Sequence, residues 1–311
     1  MLTILLGVLE EGLVYAIMAL GVYITYKILD FPDLSVDGTF PLGGAVTVVL
    51  IIAGVNPILT LFISFFVGAF AGILTGLIHV KLKVRDLLSG IIMMTALYSL
   101  NLRIAGKANV PIFTKDTIFE NAFLDNLVPE ALKPYLVSII LLIIVIIMKV
   151  LLDQYLKTKS GYLLRAVGDN DTLVTSLAKD KGIVKIVGLA IANAFVALAG
   201  SIYTQKSGFF EISTGTGTIV IGLASVIIGT NLFAKRPYFK VGKIFKNIFK
   251  KNYYFKATTA VIFGSILYKA CVALAIAAGM AASDLKLITA VLFLIILIIS
   301  NDRKRRVKAN D

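Results

Sequence analysis

The sequence predicts an all-α polytopic membrane protein, a bundle of about nine transmembrane helices with a short helix in a cytosolic loop. Three observations carry that expectation. Hydrophobic residues fill 58% of the 311 positions and charged residues only 16%, with a mean hydropathy of +0.92, more apolar surface than a soluble chain of this length can bury. Single runs extend to bilayer-spanning length: Leu136–Met148 is interrupted only by Ser138, and Leu287–Ile299 only by Thr289. The basic residues gather in alternate connecting loops, as the positive-inside rule expects of a multi-span chain.

The nine segments are roughly 4–28, 39–54, 57–79, 87–104, 135–152, 184–204, 216–234, 257–281 and 285–300, and the whole of 1–311 reads as one transmembrane domain. The first lacks a basic leader, carries Glu10 and Glu11 near its start and has no small-residue cleavage site after its core, so it is expected to remain as a helix. The third and sixth are rich in small residues, Gly68, Ala69, Ala71, Gly72 and Gly76 in one and Ala190 to Gly200 in the other. Such residues let helix backbones approach closely.

Orientation follows from charge. The tail Arg303–Lys308, the 235–256 loop with eight Lys/Arg, the 153–183 loop with five, and the turn holding Lys81, Lys83 and Arg85 alternate correctly if the C-terminus is cytosolic. An odd number of spans then leaves the N-terminus and the 107–134 connection outside. The net charge of +13 is accounted for by these membrane-flanking loops, so no nucleic acid is expected as a partner. Within 238–256, Val241, Ile244, Phe245, Ile248 and Phe249 oppose Lys240, Lys243, Lys246, Lys250 and Lys251, the pattern of an amphipathic helix on an anionic bilayer surface.

One segment breaks the charge scheme. Asp30–Pro41, DFPDLSVDGTFP, lies on the cytosolic side by parity yet has three aspartates and no Lys or Arg. Its two prolines and Gly38 predict irregular backbone, which is tolerated at membrane depth only where protein encloses it or it lines a wet cavity. Asp33, Ser35 and Asp37 are therefore candidates for a translocation path, with Asn101 of the fourth segment.

Catalytic chemistry is not expected. The single histidine, His79, has no Cys or carboxylate ligands around it in sequence, the two Gly-Lys dipeptides lack the rest of a phosphate loop, and Cys271 sits in an apolar run. Neither a metal nor a cofactor is predicted. The polar stretch 157–183 is the one sizeable cytosolic element before residue 235. Gly168, Asp169 and Asn170 read as a break and helix cap, 172–179 as two helical turns, and Gly182 as their stop before a membrane helix at about Val184.

That stretch resembles the coupling segment of ABC importer permeases of the branched-chain amino acid and ribose type, through Gly161, Arg165, Ala166, Gly168, Asn170, Gly182, Ile183 and Lys185, then Leu198, Ala199 and Gly200. Asp33–Gly38 after Ala19–Gly21, and Gly215–Gly229, are similar to that family's helix break and late glycine-rich helix. The likeness covers essentially the whole chain and is nearest to short permeases ascribed to tryptophan or other amino-acid uptake in Gram-positive bacteria. The 235–256 loop is longer and more basic than that family leads one to expect.

The resemblance implies a permease subunit in the bacterial plasma membrane that moves a small organic solute such as an amino acid. By that resemblance it would work with a separate ABC ATPase subunit, an extracellular solute-binding lipoprotein and a second permease copy. Coupling to the ATPase would fall to Arg165, Gly168, Asp169, Asn170, Lys179, Lys181 and Gly182. The alternative is a stand-alone secondary transporter or channel, suggested by Glu10, Glu11, Asp33, Asp37, Arg103 and Lys269 in or beside apolar spans. Against it stands the lack of a second, inverted copy of the aspartate-bearing break.

Overall fold

The computed structural model describes residues 2–121, 128–169, 180–233 and 255–279, with scattered helical positions between 284 and 298. The order is α1 (Leu2–Val22, continued as a π-helix over Tyr23–Ile28), α2 (Val36–Ile52), α3 (Pro57–Val80), α4 (Asp86–Ala105), β1 (Asn109–Pro111), α5 (Lys133–Tyr155), α6 (Lys159–Asp169), α7 (Lys181–Ser207), β2 (Phe209–Glu211), α8 (Thr218–Leu232) and α9 (Ala257–Ala277). Among the described residues seven helices are long and apolar enough to cross a membrane, and α2 is a shorter apolar helix. These match the first eight segments expected from sequence. Of the ninth, only separate positions such as Leu287 and Leu297 are described, and they are helical.

The core is built around α7, which packs against α3, α2, α1 and α6. It can do so because its partners meet it with glycine. Gly68, Gly72 and Gly76 form one stripe of α3, and a Cβ on any of them would strike the backbone or side chains of α7 between Ile186 and Ala197. The other face of α3 carries Leu59, Phe62, Phe66, Phe70 and Ile73, all exposed, a surface fit for lipid. α5 divides in the same way: Leu141, Val145, Met148 and Leu152 are buried, while Leu142, Ile143, Ile146 and Ile147 face outward. Buried hydroxyls tie three helices together. Thr47 of α2 bonds to Ser64 of α3 (3.0 Å) and to Ser201 of α7, and it also donates to its own helix at Gly43 (2.8 Å).

Helix ends sort into two faces. The end of α3 meets the start of α7 at Val80 and Gly182, the end of α5 meets the start of α9 through Asp153 and Thr258 (2.7 Å), and α6 lies on this same basic face. On the opposite face β1 pairs antiparallel with β2, Asn109 opposite Glu211, and Gln205 at the end of α7 bonds to Thr60 at the start of α3 (3.0 Å). His79 is held on the basic face, its Nδ1 2.9 Å from the Val84 carbonyl and its ring edge-on to Phe31. Among the described residues no cluster of three metal-ligating side chains occurs.

Two expectations of local structure need correction. The irregular segment is shorter than Asp30–Pro41: the backbone is non-helical only from Leu29 to Ser35, and Pro41 lies inside α2. A proline near a helix start loses one backbone bond, here to the Asp37 carbonyl, against which Gly215 packs. Likewise Gly168 and Asp169 belong to the last turn of α6, so any break follows them, and Gly182 stands second in α7 where a stop was expected. Asp180 caps α7, its Oδ1 accepting from the Gly182 (2.8 Å) and Ile183 (3.4 Å) amides, so the membrane helix starts at Lys181 and not at Val184. Asn170 and Lys179, the 172–179 helix, the amphipathic 238–254 stretch and the basic tail lie outside the described residues.

Candidate functional site

The site grows from the end of the first membrane helix. After the π-helical turns, Asp30 adopts a left-handed conformation (φ 53°), which aspartate tolerates better than most side chains, and the helix stops. Three residues on, Asp33 is almost fully buried. Its Oδ1 accepts from the Ser35 amide at 2.9 Å, an aspartate turn that satisfies a donor at the start of α2, where Ser35 itself makes no side-chain cap. Its Oδ2 accepts from Asn193 Nδ2 at 2.8 Å, and Ser35 Oγ donates back to Asn193 Oδ1 at 3.2 Å. The three side chains thus close a buried ring. Asn193 stands near the middle of α7, so α2 begins at half depth in the bundle.

A second interruption faces the first. α7 ends at Gly208 (φ 76°), the chain turns through β2 and a 3-10 turn over Ile212–Gly215, and α8 starts after Gly217 (φ 86°). Gly217 has no side chain with which to cap that helix, and its left-handed φ is one that a larger residue would adopt only under strain. Asp37 of α2 supplies the cap from another helix. Its Oδ2 accepts from the Gly217 amide (2.9 Å), and its Oδ1 accepts from the Ile219 amide (2.8 Å) and Thr218 Oγ1 (3.0 Å). A carboxylate there also meets the positive end of the helix dipole.

Pro41, one turn along α2, cannot donate to the Asp37 carbonyl. Gly215 seats against that carbonyl and the Pro41 ring, so closely that a Cβ at Gly215 would overlap both. The apparent flaw in α2 is therefore the seat of the second interruption. At about 1.5 Å per residue the regular stretches of α2 and α8 are roughly 25 and 22 Å long; with the turn before it α8 completes the membrane-long span Ile212–Leu232, and the two interrupted helices, half-helices in that sense, meet N-terminus to N-terminus inside the bundle. This is the geometry of discontinuous helices in transporters.

Asn101 joins from α4. Its Nδ2 donates to the Gly38 carbonyl at 2.9 Å, while its Oδ1, fully buried, has no hydrogen-bond partner among the described residues. Asp33, Ser35, Asp37 and Asn101 are thus brought together around the first turns of α2. In this conformation Asp33, Ser35 and Asn101 are enclosed by protein, each at most 1% exposed, and do not open onto water. Sequence reasoning missed Asn193 and the second interruption. The signals were a lone amide in the apolar run LAIANAFVALAG and the paired glycines of TGTGT, where only a helix had been read.

Of the residues expected from sequence to couple to an ATPase, Arg165 and Asp169 are exposed on α6, and Lys181 and Gly182 open α7. Gly168 has a contact of its own: a Cβ there would strike the Ile28 carbonyl. The α6 helix of the basic face thereby touches the first membrane helix at the residue where it begins to break.

Comparison with known proteins now decides the class. Residues 4–300 match the family described as the branched-chain amino acid transport system / permease component. The chain belongs to that family. It is 41% identical over 297 residues to the tyrosine transport system permease protein of Clostridioides difficile, covering 96% of this chain and 91% of that protein. An uncharacterized protein of Rickettsia prowazekii is 33% identical over 233 residues (75% of this chain, 79% of that one), and the ribose import permease protein of Escherichia coli 25% over 225 (72% and 68%). No solved structure matches. This permease is therefore the membrane-spanning component of an ABC-type importer and not an enzyme. The two half-helix N-termini are the feature of its bundle that most needs a mechanical account.

Proposed function

We propose that this permease imports an amino acid, with ATP hydrolysed on a separate ATPase subunit bound to its basic face. That face is then cytosolic, the N-terminus and the β1–β2 face are external, and an extracellular binding lipoprotein delivers the solute to a pair of permease copies in the plasma membrane. The observation that carries the mechanism is the contact of Gly168 with Ile28. A displacement of the segment from Arg165 to Gly182 would reach the first membrane helix where it ends, five residues before Asp33 and the entry to α2.

Mechanism follows from which bonds cross between elements. The Asp33–Ser35–Asn193 ring fastens α2 to α7, and Asp37 fastens α2 to α8. Tilting α2 would open both sets together, exposing carboxylates and the α8 N-terminus to the path that a zwitterionic solute takes. Asn101 supports the same reading: a buried acceptor without a donor costs about 1–3 kcal/mol, a cost relieved if a solute or water donates to it in another conformation. The amino-acid assignment is supported by the 41% identity to a tyrosine transport permease.

The test is reconstitution. The permease should co-purify with an ATPase, and in proteoliposomes with its binding protein it should accumulate an amino acid only when ATP is supplied on the ATPase side. Uptake by the permease alone, driven by an ion gradient, would refute the reading and favour the secondary transporter. With the assembled transporter, a cysteine at Ser35 should react with a small polar thiol reagent in one nucleotide state and be protected in another. Protection in every state would remove Ser35 from the path.

A further inference from the structure

Outward of the two half-helices, four helices converge on a cluster that the breaks do not use. Glu11 of α1 accepts from Lys269 of α9, Nζ to Oε2 3.0 Å. One helical turn deeper, Tyr15 stacks on Phe40 of α2 with centroids 5.8 Å apart and planes within 5° of parallel, and Tyr203 of α7 leans on both at 6.1 and 5.7 Å. Lys269 lies over this group as well, its Nζ 4.0 Å from the centre of the Tyr15 ring. One ammonium therefore holds an anion and an aromatic face at once.

A structural ion pair is the simpler explanation, and it accounts poorly for what is here. A charge within a membrane helix is costly, and a buried pair returns little net stability compared with two apolar residues. The pair is also lopsided: the Lys269 side chain is 13% exposed and that of Glu11 49%, so the cation is enclosed while the anion stands at the entrance. An enclosed cation, a half-exposed anion and, beneath the Lys269 head, three packed rings of which Tyr15 is 6% and Phe40 1% exposed are the groups that an amino acid with an aromatic side chain would match once the Lys269 head moves aside.

We propose that Glu11, Lys269, Tyr15, Phe40 and Tyr203 form a recognition site for an aromatic amino acid on the outward side of the pathway. The solute carboxylate displaces Glu11 from Lys269, the freed Glu11 receives the α-ammonium, and the solute ring takes the place of the Lys269 head over Tyr15. No net charge is brought into the bundle, so the exchange avoids the desolvation cost of a lone ion. Aliphatic amino acids satisfy the ion pair but not the rings, and sugars satisfy neither. Phe40 is one turn from Asp37 on the same face of α2, so an occupant of the site bears on the helix that carries both caps.

This rests on the importer reading, and the experiment separates the two. The full-length permease in nanodiscs is examined by saturation-transfer NMR with L-phenylalanine, L-leucine and phenethylamine, which lacks the carboxylate. Transfer is expected to the phenylalanine ring, and at least about tenfold less to leucine and phenethylamine, since a charged hydrogen bond or a buried ring contact each contributes at least a decade. Lys269→Met should abolish the signal, and Tyr203→Leu, which leaves the ion pair in place, should remove the preference for phenylalanine over leucine. Melting curves identify any variant that has lost its fold, and Glu11→Gln then serves as the milder probe of the same pair. Equal transfer to phenylalanine and leucine, or an undiminished signal in folded Lys269→Met or Glu11→Gln, overturns the proposal. ATP-driven uptake is measured in parallel: its absence in a wild type that binds phenylalanine counts against the importer reading and leaves the site standing.

Discussion

Asp37 is the residue whose loss the structure prices most directly. Replacing it with alanine leaves the Gly217 and Ile219 amides without their acceptor, while the Thr218 hydroxyl, whose one proton is shared between Asp37 and the Gly215 carbonyl at 3.0 Å, keeps the latter. A hydrogen bond to a charged acceptor contributes about 1.5–3 kcal/mol, and loss of a helix cap costs about 1. With two amides orphaned, Asp37→Ala should destabilise the permease by roughly 3 kcal/mol, a melting shift of at least about 5 °C. Asp37→Asn should fall between, because its carbonyl oxygen still accepts from Ile219 and Thr218 while its NH2 confronts the Gly217 N–H donor to donor. The assay is a thermal-unfolding series of purified variants in one detergent, paired with ATP-driven uptake. If Asp37 is a cap, stability and uptake decline together in the order Asp, Asn, Ala. Asparagine and alanine variants that melt with the wild type would refute the cap. Wild-type melting of Asn with uptake as low as that of Ala would instead assign Asp37 a role through its charge alone.

Three further outcomes are expected. Asn101→Leu removes a buried acceptor that has no donor and should raise the melting temperature while lowering uptake; a loss of both would mean that its bond to Gly38 outweighs the orphaned oxygen. Gly168→Val pushes α6 off the Ile28 carbonyl, so insertion should be normal and ATP-driven uptake reduced roughly 3- to 30-fold, the range of modest coupling energies; unchanged uptake would disconnect α6 from the break. A reporter active only in the cytosol should give signal when fused after Asn310 and none when placed within 121–125; the opposite pattern would move α6 to the wrong face and end the coupling argument.

Fold class and element order were legible because they depend on composition and period, which the sequence states directly. Eight of the segments are helices close to their expected bounds, and the small residues of the third and sixth, read as sites of close approach, meet each other in the α3–α7 pair. Boundaries failed where a tertiary partner replaced a local signal. Pro41 and Gly38 look like helix breakers in isolation, yet α2 runs through both: Gly215 packs on the carbonyl that Pro41 leaves without its helical donor, and Gly38 is where α4 comes close. Gly168 misled for the same reason: it resembles punctuation but serves a close approach to Ile28.

The site was half legible on the same grounds. Asp33 and Asp37 stood out as carboxylates without compensating lysines, which is a property of sequence, and both proved to sit at helix starts. Their partners were invisible because they come from residues about 160 and 180 positions away, Asn193 and the Gly217–Ile219 turn. The missing inverted copy of the break, which counted against a transporter working alone, has a physical resolution here. A second discontinuous helix does exist, but it borrows the aspartate of the first, so one acidic motif caps two half-helices. Any motion that separates α2 from α8 must therefore uncap α8 while Asp33 still caps α2, and the two halves of the bundle cannot move independently of that single helix.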